Sequence, residues 1–240
     1  MKTIRHFILP AALLLMMITN GCFDEIFIDG NGMPQPEGRV TRPFAEVALS
    51  GDFMVYITTG DDYEIVVDAE SNLLPYIETD VRGNTLHIGT QGIHTLVNHS
   101  PIKVFITLPV LEGINVSGSG TVITDQLITG KIDLLVSGSG KIEAKIDSYQ
   151  LKSFISGSGK IIVSGNSDNA DLSISGSGRL AADNLMLSNC EASISGSGEM
   201  SINVEKLLIV SISGSGNVVY AGRPVVETHI SGSGRLISKN

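Results

Sequence analysis

The sequence predicts an all-β protein whose C-terminal half is a parallel β-helix, a solenoid of about 18–20 residues per coil behind an irregular β region that caps it. The tetrapeptide Ser-Gly-Ser-Gly occurs seven times, beginning at Ser117, Ser137, Ser156, Ser175, Ser195, Ser213 and Ser231, in steps of 20, 19, 19, 20, 18 and 18 residues. Around each copy the apolar side chains alternate with period two and share parity with both glycines, as in Leu172, Ile174, Gly176, Gly178, Leu180 and Ala182. That period belongs to strand and not to helix. Finally, 42% of residues are hydrophobic but only 5% aromatic, with 27 Gly and no Trp. The core must therefore be built of Ile, Leu, Val and small residues, which suits flat stacked strands. A propeller blade would need roughly 40–45 residues per repeat. One β-helix coil fits instead, with a perimeter of about 60 Å and a stacking distance of about 4.8 Å.

The elements follow in chain order. Residues 1–21 read as a signal peptide, with Lys2 and Arg5 ahead of an apolar run from Phe7 to Ile18 that is too short to span a bilayer. Gly21-Cys22 resembles a bacterial lipobox, although Thr19 stands where an aliphatic residue is usual. Cys22 is thus the expected lipidation site and the mature N-terminus. Residues 22–40 hold Gly30, Gly32, Pro34, Pro36 and Gly38 and read as a lipidated N-terminus and flexible tether.

Residues 41–112 alternate in five short runs, beginning at Phe44, Phe53, Tyr63, Thr85 and Ile102, broken by Gly51-Asp52, Gly60-Asp61-Asp62 and Gly83-Asn84. One short turn is expected near Asn72-Leu73-Leu74-Pro75. This region is expected to cap the N-terminal end of the solenoid, because an uncovered sheet edge invites aggregation. Residues 113–240 form the repeat. Its corners are assigned to Ser117, Gly118, Ser119 and Gly120, then to the glycine pairs Gly138 and Gly140, Gly157 and Gly159, Gly176 and Gly178, Gly196 and Gly198, Gly214 and Gly216, and Gly232 and Gly234. Glycine there removes the Cβ that would clash between stacked bends or forbid positive φ. The serines, on the opposite parity, are expected to form a ladder of hydroxyls.

Gly113-Ile114-Asn115 leading into Val116-Ser117-Gly118-Ser119-Gly120, the later copies, the Phe44 to Ile57 segment and Thr107-Leu108-Pro109 together resemble the "putative auto-transporter adhesin, head GIN domain" family of exported Bacteroidetes proteins. The resemblance runs from about Phe44 to Asn240. It implies a β-helical fold at the cell surface or in the periplasm and a role in adhesion, and it supplies no catalytic residues. Asp24 and Glu25 after Cys22 resemble a surface-export signal of the same bacteria, and Phe23 stands where Asp would retain the protein at the inner membrane. An outer-membrane lipoprotein, on the surface or on the periplasmic face, is the expected location.

The formal net charge is −9, and removal of Lys2 and Arg5 with the signal peptide makes it more negative by two. A nucleic-acid ligand is thereby excluded, and anionic head groups should repel the chain, leaving the lipid as its membrane attachment. Asp125, Asp147, Asp168, Asp183 and Glu205 follow the corners at differing offsets and form no ladder, so they read as solvated turn carboxylates rather than the paired acids of a glycosidase. His87, His94, His99 and His229 lack metal-ligand spacing. Phosphate loops, nucleophile elbows and calcium-roll nonapeptides are not found, so no catalytic residue, metal or cofactor is expected. Cys190 reads as a small buried apolar residue.

The reading is a non-enzymatic adhesion or binding scaffold for a glycan or protein ligand. A carbohydrate-active β-helix enzyme and a self-assembling envelope protein are the alternatives. The last coil, ending at Leu236-Ile237-Ser238-Lys239-Asn240, offers an edge through which a homo-oligomer would form.

Overall fold

The computed structural model describes residues 26–239; the signal peptide and Cys22 lie outside the described residues. The N-terminal part runs β1 (Ile26–Asp29), β2 (Pro34–Arg39), β3 (Glu46–Ser50), β4 (Met54–Thr59) and β5 (Glu64–Glu70). A 3-10 turn at Leu74–Tyr76, where the sequence placed one, leads to β6 (Ile77–Arg82), β7 (Thr85–Thr90), β8 (His94–Val97), β9 (Lys103–Leu108) and β10 (Gly113–Gly118). From there each coil is one long bent strand: β11 (Thr121–Gly138), β12 (Lys141–Gly157), β13 (Lys160–Gly176), β14 (Arg179–Gly196) and β15 (Glu199–Gly214). β16 (Asn217–Ala221), β17 (Val225–Gly232) and β18 (Arg235–Ser238) complete the order.

The long strands stack in parallel with the tetrapeptides in register, so that Ser137, Ser156, Ser175, Ser195, Ser213 and Ser231 form one column. The fold is the parallel β-solenoid that the repeat predicts. Inside it the alternating aliphatics make one continuous core, from Phe44 to Val218. Two bends recur in every long coil, and β11 and β14 break the alternation once more, at Asp125-Gln126 and Asp183-Asn184. The first bend is the corner, through which the inward parity runs unbroken: Ile174, Gly178 and Leu180 are all buried. The second bend flips that parity. In β12 the buried residues are Ile142, Ala144, Ile146 and Ser148 before it and Leu151, Ser153 and Ile155 after it, leaving Tyr149 and Gln150 to turn the chain. Register shifts, which absorb the unequal repeat lengths, fall between Ile123 and Gln126, Ile162 and Ser164, and Ala182 and Asn189, and none falls at the corner.

The corner itself is a steric device. The first glycine of every copy has positive φ, from 111° at Gly118 to 122° at Gly196, a region that residues with a Cβ avoid. The second glycine faces inward. A Cβ on Gly178 would lie 2.5 Å from Ile155 Cγ2 and 2.9 Å from the Gly159 carbonyl oxygen, so glycine leaves a notch for the β-branched side chain of the preceding coil. Two backbone bonds then tie each corner to the one before it, as when Ser177 N–H donates to Gly157 O (2.9 Å) and Arg179 N–H to Gly159 O (3.0 Å). The expected serine ladder is not what crosses the corner. Hydroxyl pairs occur instead at Ser148 to Ser167 (3.0 Å) and between Ser173 and Ser193.

The stack extends two rungs below the first Ser-Gly-Ser-Gly. β10 rests on β3 and β3 on β7, while β11 rests on β4 and β4 on β9, all in parallel. Gly51-Asp52-Phe53 takes the corner position beneath Gly118, with Gly120 N–H donating to Gly51 O (2.8 Å) and Thr121 N–H to Phe53 O (2.8 Å). The caps are antiparallel strands: β6 on β7, β5 on β9, and β2 on β5.

One expectation is corrected. Residues 22–40 were expected to be a flexible tether, yet β1 pairs with β8, and β2 pairs with β5 from Pro34 opposite Glu70 to Arg39 opposite Ile65. Pro34 and Pro36, two residues apart, share one side of an edge strand, where a missing N–H breaks no ladder bond. Glu70 locks this segment down. Its carboxylate, with a fully buried side chain, accepts N–H bonds from Gly32 (2.6 Å), His99 (2.5 Å) and Ser100 (3.1 Å). Gly30 leaves room for it, since a Cβ there would lie 2.0 Å from Glu70 Oε2. Asn72 adds two bonds, accepting from Asn31 N–H (3.0 Å) and donating to Asp29 O (2.7 Å).

Candidate binding surface

The second bend carries the groove with the richest mixture of side chains. About 460 Å³ in volume, it runs across five coils, from β11 to β15, and is lined by Ile128, Tyr149 and Met186 together with Asp147, Asp168 and Glu205. Its geometry follows from the register. Ile128, Asp147, Asn166 and Met186 form one outward column. Tyr149 and Asp168 lie in the next, two positions along, at the residues that turn the chain. Because both columns point outward, Ile128 is 75%, Tyr149 65% and Met186 50% exposed. Ser148 and Ser167, bonded to each other and then to Asn169 O (3.1 Å), floor the groove. Rigid backbone ladders on both sides hold these groups in fixed positions, as a preorganised binding surface requires.

The acids expected to be scattered divide into two sets. Asp125 accepts a bond from Thr58 Oγ1 (3.2 Å), and Asp183 accepts from Ser201 Oγ (2.6 Å) and Lys239 Nζ (2.7 Å). Burial works against the Asp183 charge, but Lys239 and Ser201 outweigh it and hold that carboxyl below its ordinary range. Asp147, Asp168 and Glu205, by contrast, share the groove, with Glu205 two coils, or about 10 Å, beyond Asp168 at the usual strand spacing. The sequence could not show this, because their offsets from the corner differ and the second bend has no motif to count from. Among the described residues no set of three His, Cys, Asp or Glu side chains is placed to hold a metal ion. His94 packs on Tyr76 with ring centres 4.8 Å apart, and His99 lies beside Glu70.

Cys190 is buried and unpaired. Burial, with Asp171 and Glu191 adding to it, pushes its thiol pKa up to about 12, so the nucleophilic thiolate is suppressed. In a Cys22→Ala form, which leaves Cys190 as its one thiol, the folded protein should therefore leave an aromatic disulfide reagent unconsumed at pH 8 and take up one equivalent in denaturant. Uptake at the rate of a free thiol in the folded state would contradict the buried placement.

The corner residues, from Ser117 through Gly234, line the first bend rather than this groove. No curated protein matches the chain. Among solved structures, a putative adhesin from Bacteroides fragilis superposes with a TM-score of 0.83 at 23% identity, covering 88% of this chain and 99% of that one. A putative lipid binding protein from Parabacteroides distasonis gives a TM-score of 0.75 at 25% identity, covering 89% and 100%. A putative adhesin from Parabacteroides merdae gives 0.71 at 22% identity, covering 90% and 100%. The family model described as "Putative auto-transporter adhesin, head GIN domain" matches residues 43–224, from the first strand of the stack nearly to its last coil, and the chain belongs to that family.

Proposed function

We propose that the protein is a non-enzymatic binding scaffold of the bacterial envelope, held at the outer membrane by a lipid on Cys22 and engaging a glycan or protein ligand through the second-bend groove. Family membership supports the adhesive role. The observation that carries the site is the exposed Tyr149, set between Ile128 and Met186 on a rigid ladder. Exposed aromatic and sulfur side chains in a fixed groove are the usual anchors of binding energy. Tyr149→Ala is expected to lower binding to target cells or arrayed glycans about tenfold or more while leaving the melting temperature unchanged. Unaltered binding would remove the groove from the proposal.

Anchoring has its own test. Cys22→Ala should move the protein from the membrane to the soluble fraction, and protease shaving of intact cells should remove the wild-type signal if the solenoid stands outside. A membrane-bound Ala form would exclude the lipid anchor.

The second reading, a carbohydrate-active enzyme, draws on the three acids that share the groove. Retention of full ligand binding in Asp147→Asn and Asp168→Asn, with no released sugar from either variant or the wild type, would favour the scaffold. Turnover that either substitution abolishes would favour the enzyme.

A further inference from the structure

β1 and β8 form a two-stranded sheet of their own, in which Phe27 pairs with Thr95 and Asp29 with Val97. Ile28 and Leu96 pack against the core, so the alternation of a strand turns Phe27 and Val97 outward. Phe27 is 62% and Val97 39% exposed, and at the rim Ile26 is 46% and Ile93 51% exposed. Phe27 and Val97 share their face with Asp29 and Thr95, and Ile26, on the parity of Ile28, is exposed at its edge; so many exposed apolar side chains on one small sheet call for a partner.

The position of that face in the chain identifies the partner. Cys22 precedes Phe27 by five residues, and five residues span at most about 18 Å however the chain runs. An acylated Cys22 sits at the head-group level of the bilayer, which holds Phe27 within that distance of the lipid. We propose that the outward face of the β1 and β8 sheet rests on the lipid surface, its aromatic and aliphatic side chains entering the boundary between head groups and acyl chains. This rests on the reading of Cys22 as the anchor. The preferred surface is zwitterionic, because the processed chain, two charges more negative than the −9 of the full sequence, is repelled by anionic lipid. The Glu70 bonds to Gly32, His99 and Ser100 tie the chain just beyond the C-terminal ends of both strands of this sheet to the capped end of the solenoid. Seating the sheet on the membrane therefore brings the capped end of the stack to the bilayer.

The chain has no tryptophan, so Phe27→Trp supplies a single reporter at an exposed position. The lipidated protein would be reconstituted in phosphatidylcholine vesicles with plain or brominated acyl chains, with Tyr149→Trp as the distant control and intact mass as the check on acylation. Bromine quenching at position 27 and none at position 149 is the expected result. An acylated, vesicle-bound protein whose position 27 is unquenched would overturn the inference and leave the anchor standing. Emission that shifts with protein density but ignores bromine would assign the face to a second copy and overturn it likewise. A mass without acyl chains would overturn both readings together.

Discussion

Gly176→Ala is expected to destabilise the solenoid by about 3–5 kcal/mol, the upper range for a single substitution. Two effects combine. Gly176 has φ of +120°, and a Cβ added there would lie 2.6 Å from the Gly157 carbonyl oxygen. That oxygen is not free to retreat, because it accepts the Ser177 N–H and belongs to a corner bonded in turn to the coil below. Gly130→Ala is the matched control, with nothing within 4 Å of its Cβ and no positive φ; a change within about 1 kcal/mol is expected, of either sign. Ser177→Ala, on the exposed side of the same corner, should stay within about 0.5 kcal/mol. Urea unfolding of the three variants measures all of this. Equal losses for Gly176→Ala and Gly130→Ala would show that the corner glycines are not the steric requirement argued above.

Acid is expected to release the N-terminal segment from the solenoid. N–H bonds, that of Gly32 first, lower the Glu70 carboxyl to about 2 from an ordinary 4.5, against the opposing effect of burial. The folded state thus favours the charged form. Its contribution is complete above pH 4.5, shrinks as protons bind the unfolded chain first, and is lost as pH falls through about 2. Glu70→Gln should produce the same release at neutral pH, because an amide offers one acceptor oxygen to donors that now share two. Amide exchange at Gly32 and Ser100 should accelerate on the order of tenfold, while amides in β12 and β13 keep their protection. Unchanged exchange at Gly32 in the variant would mean that the prolyl edge strand, and not Glu70, holds the segment.

The repeat was legible because each corner needs two glycines at fixed positions, one for its φ and one for the notch. Its lower continuation was hidden for the same reason. Gly51 keeps the first glycine, but Phe53 replaces the second, so no tetrapeptide marks that rung. Alternation alone could not divide residues 41–112, because β4 and β9, which are coils, and β5 and β6, which are caps, read alike by period. Pro34 and Pro36 suggested a tether because proline is excluded from central strands; only the structure shows that this strand is an edge. The groove at the second bend left the least trace, since each coil turns there with different residues: Tyr149-Gln150, Asp168-Asn169, Glu205-Lys206.

The notch at the second glycine has a consequence for growth of the molecule. Val116, Val136, Ile155, Ile174, Ile194 and Ile212 each fill the same recess in the next coil, so every joint in the stack is of one gauge. Units of this kind are interchangeable. Excising residues 157–175 would rejoin Ser156 to Gly176-Ser177-Gly178 and present the recess of Gly178 to Val136, shortening the rod by a single rung of about 4.8 Å. The number of copies then works as a ruler, and duplication or loss of one unit resets the length of the stack without redesigning the corner contacts.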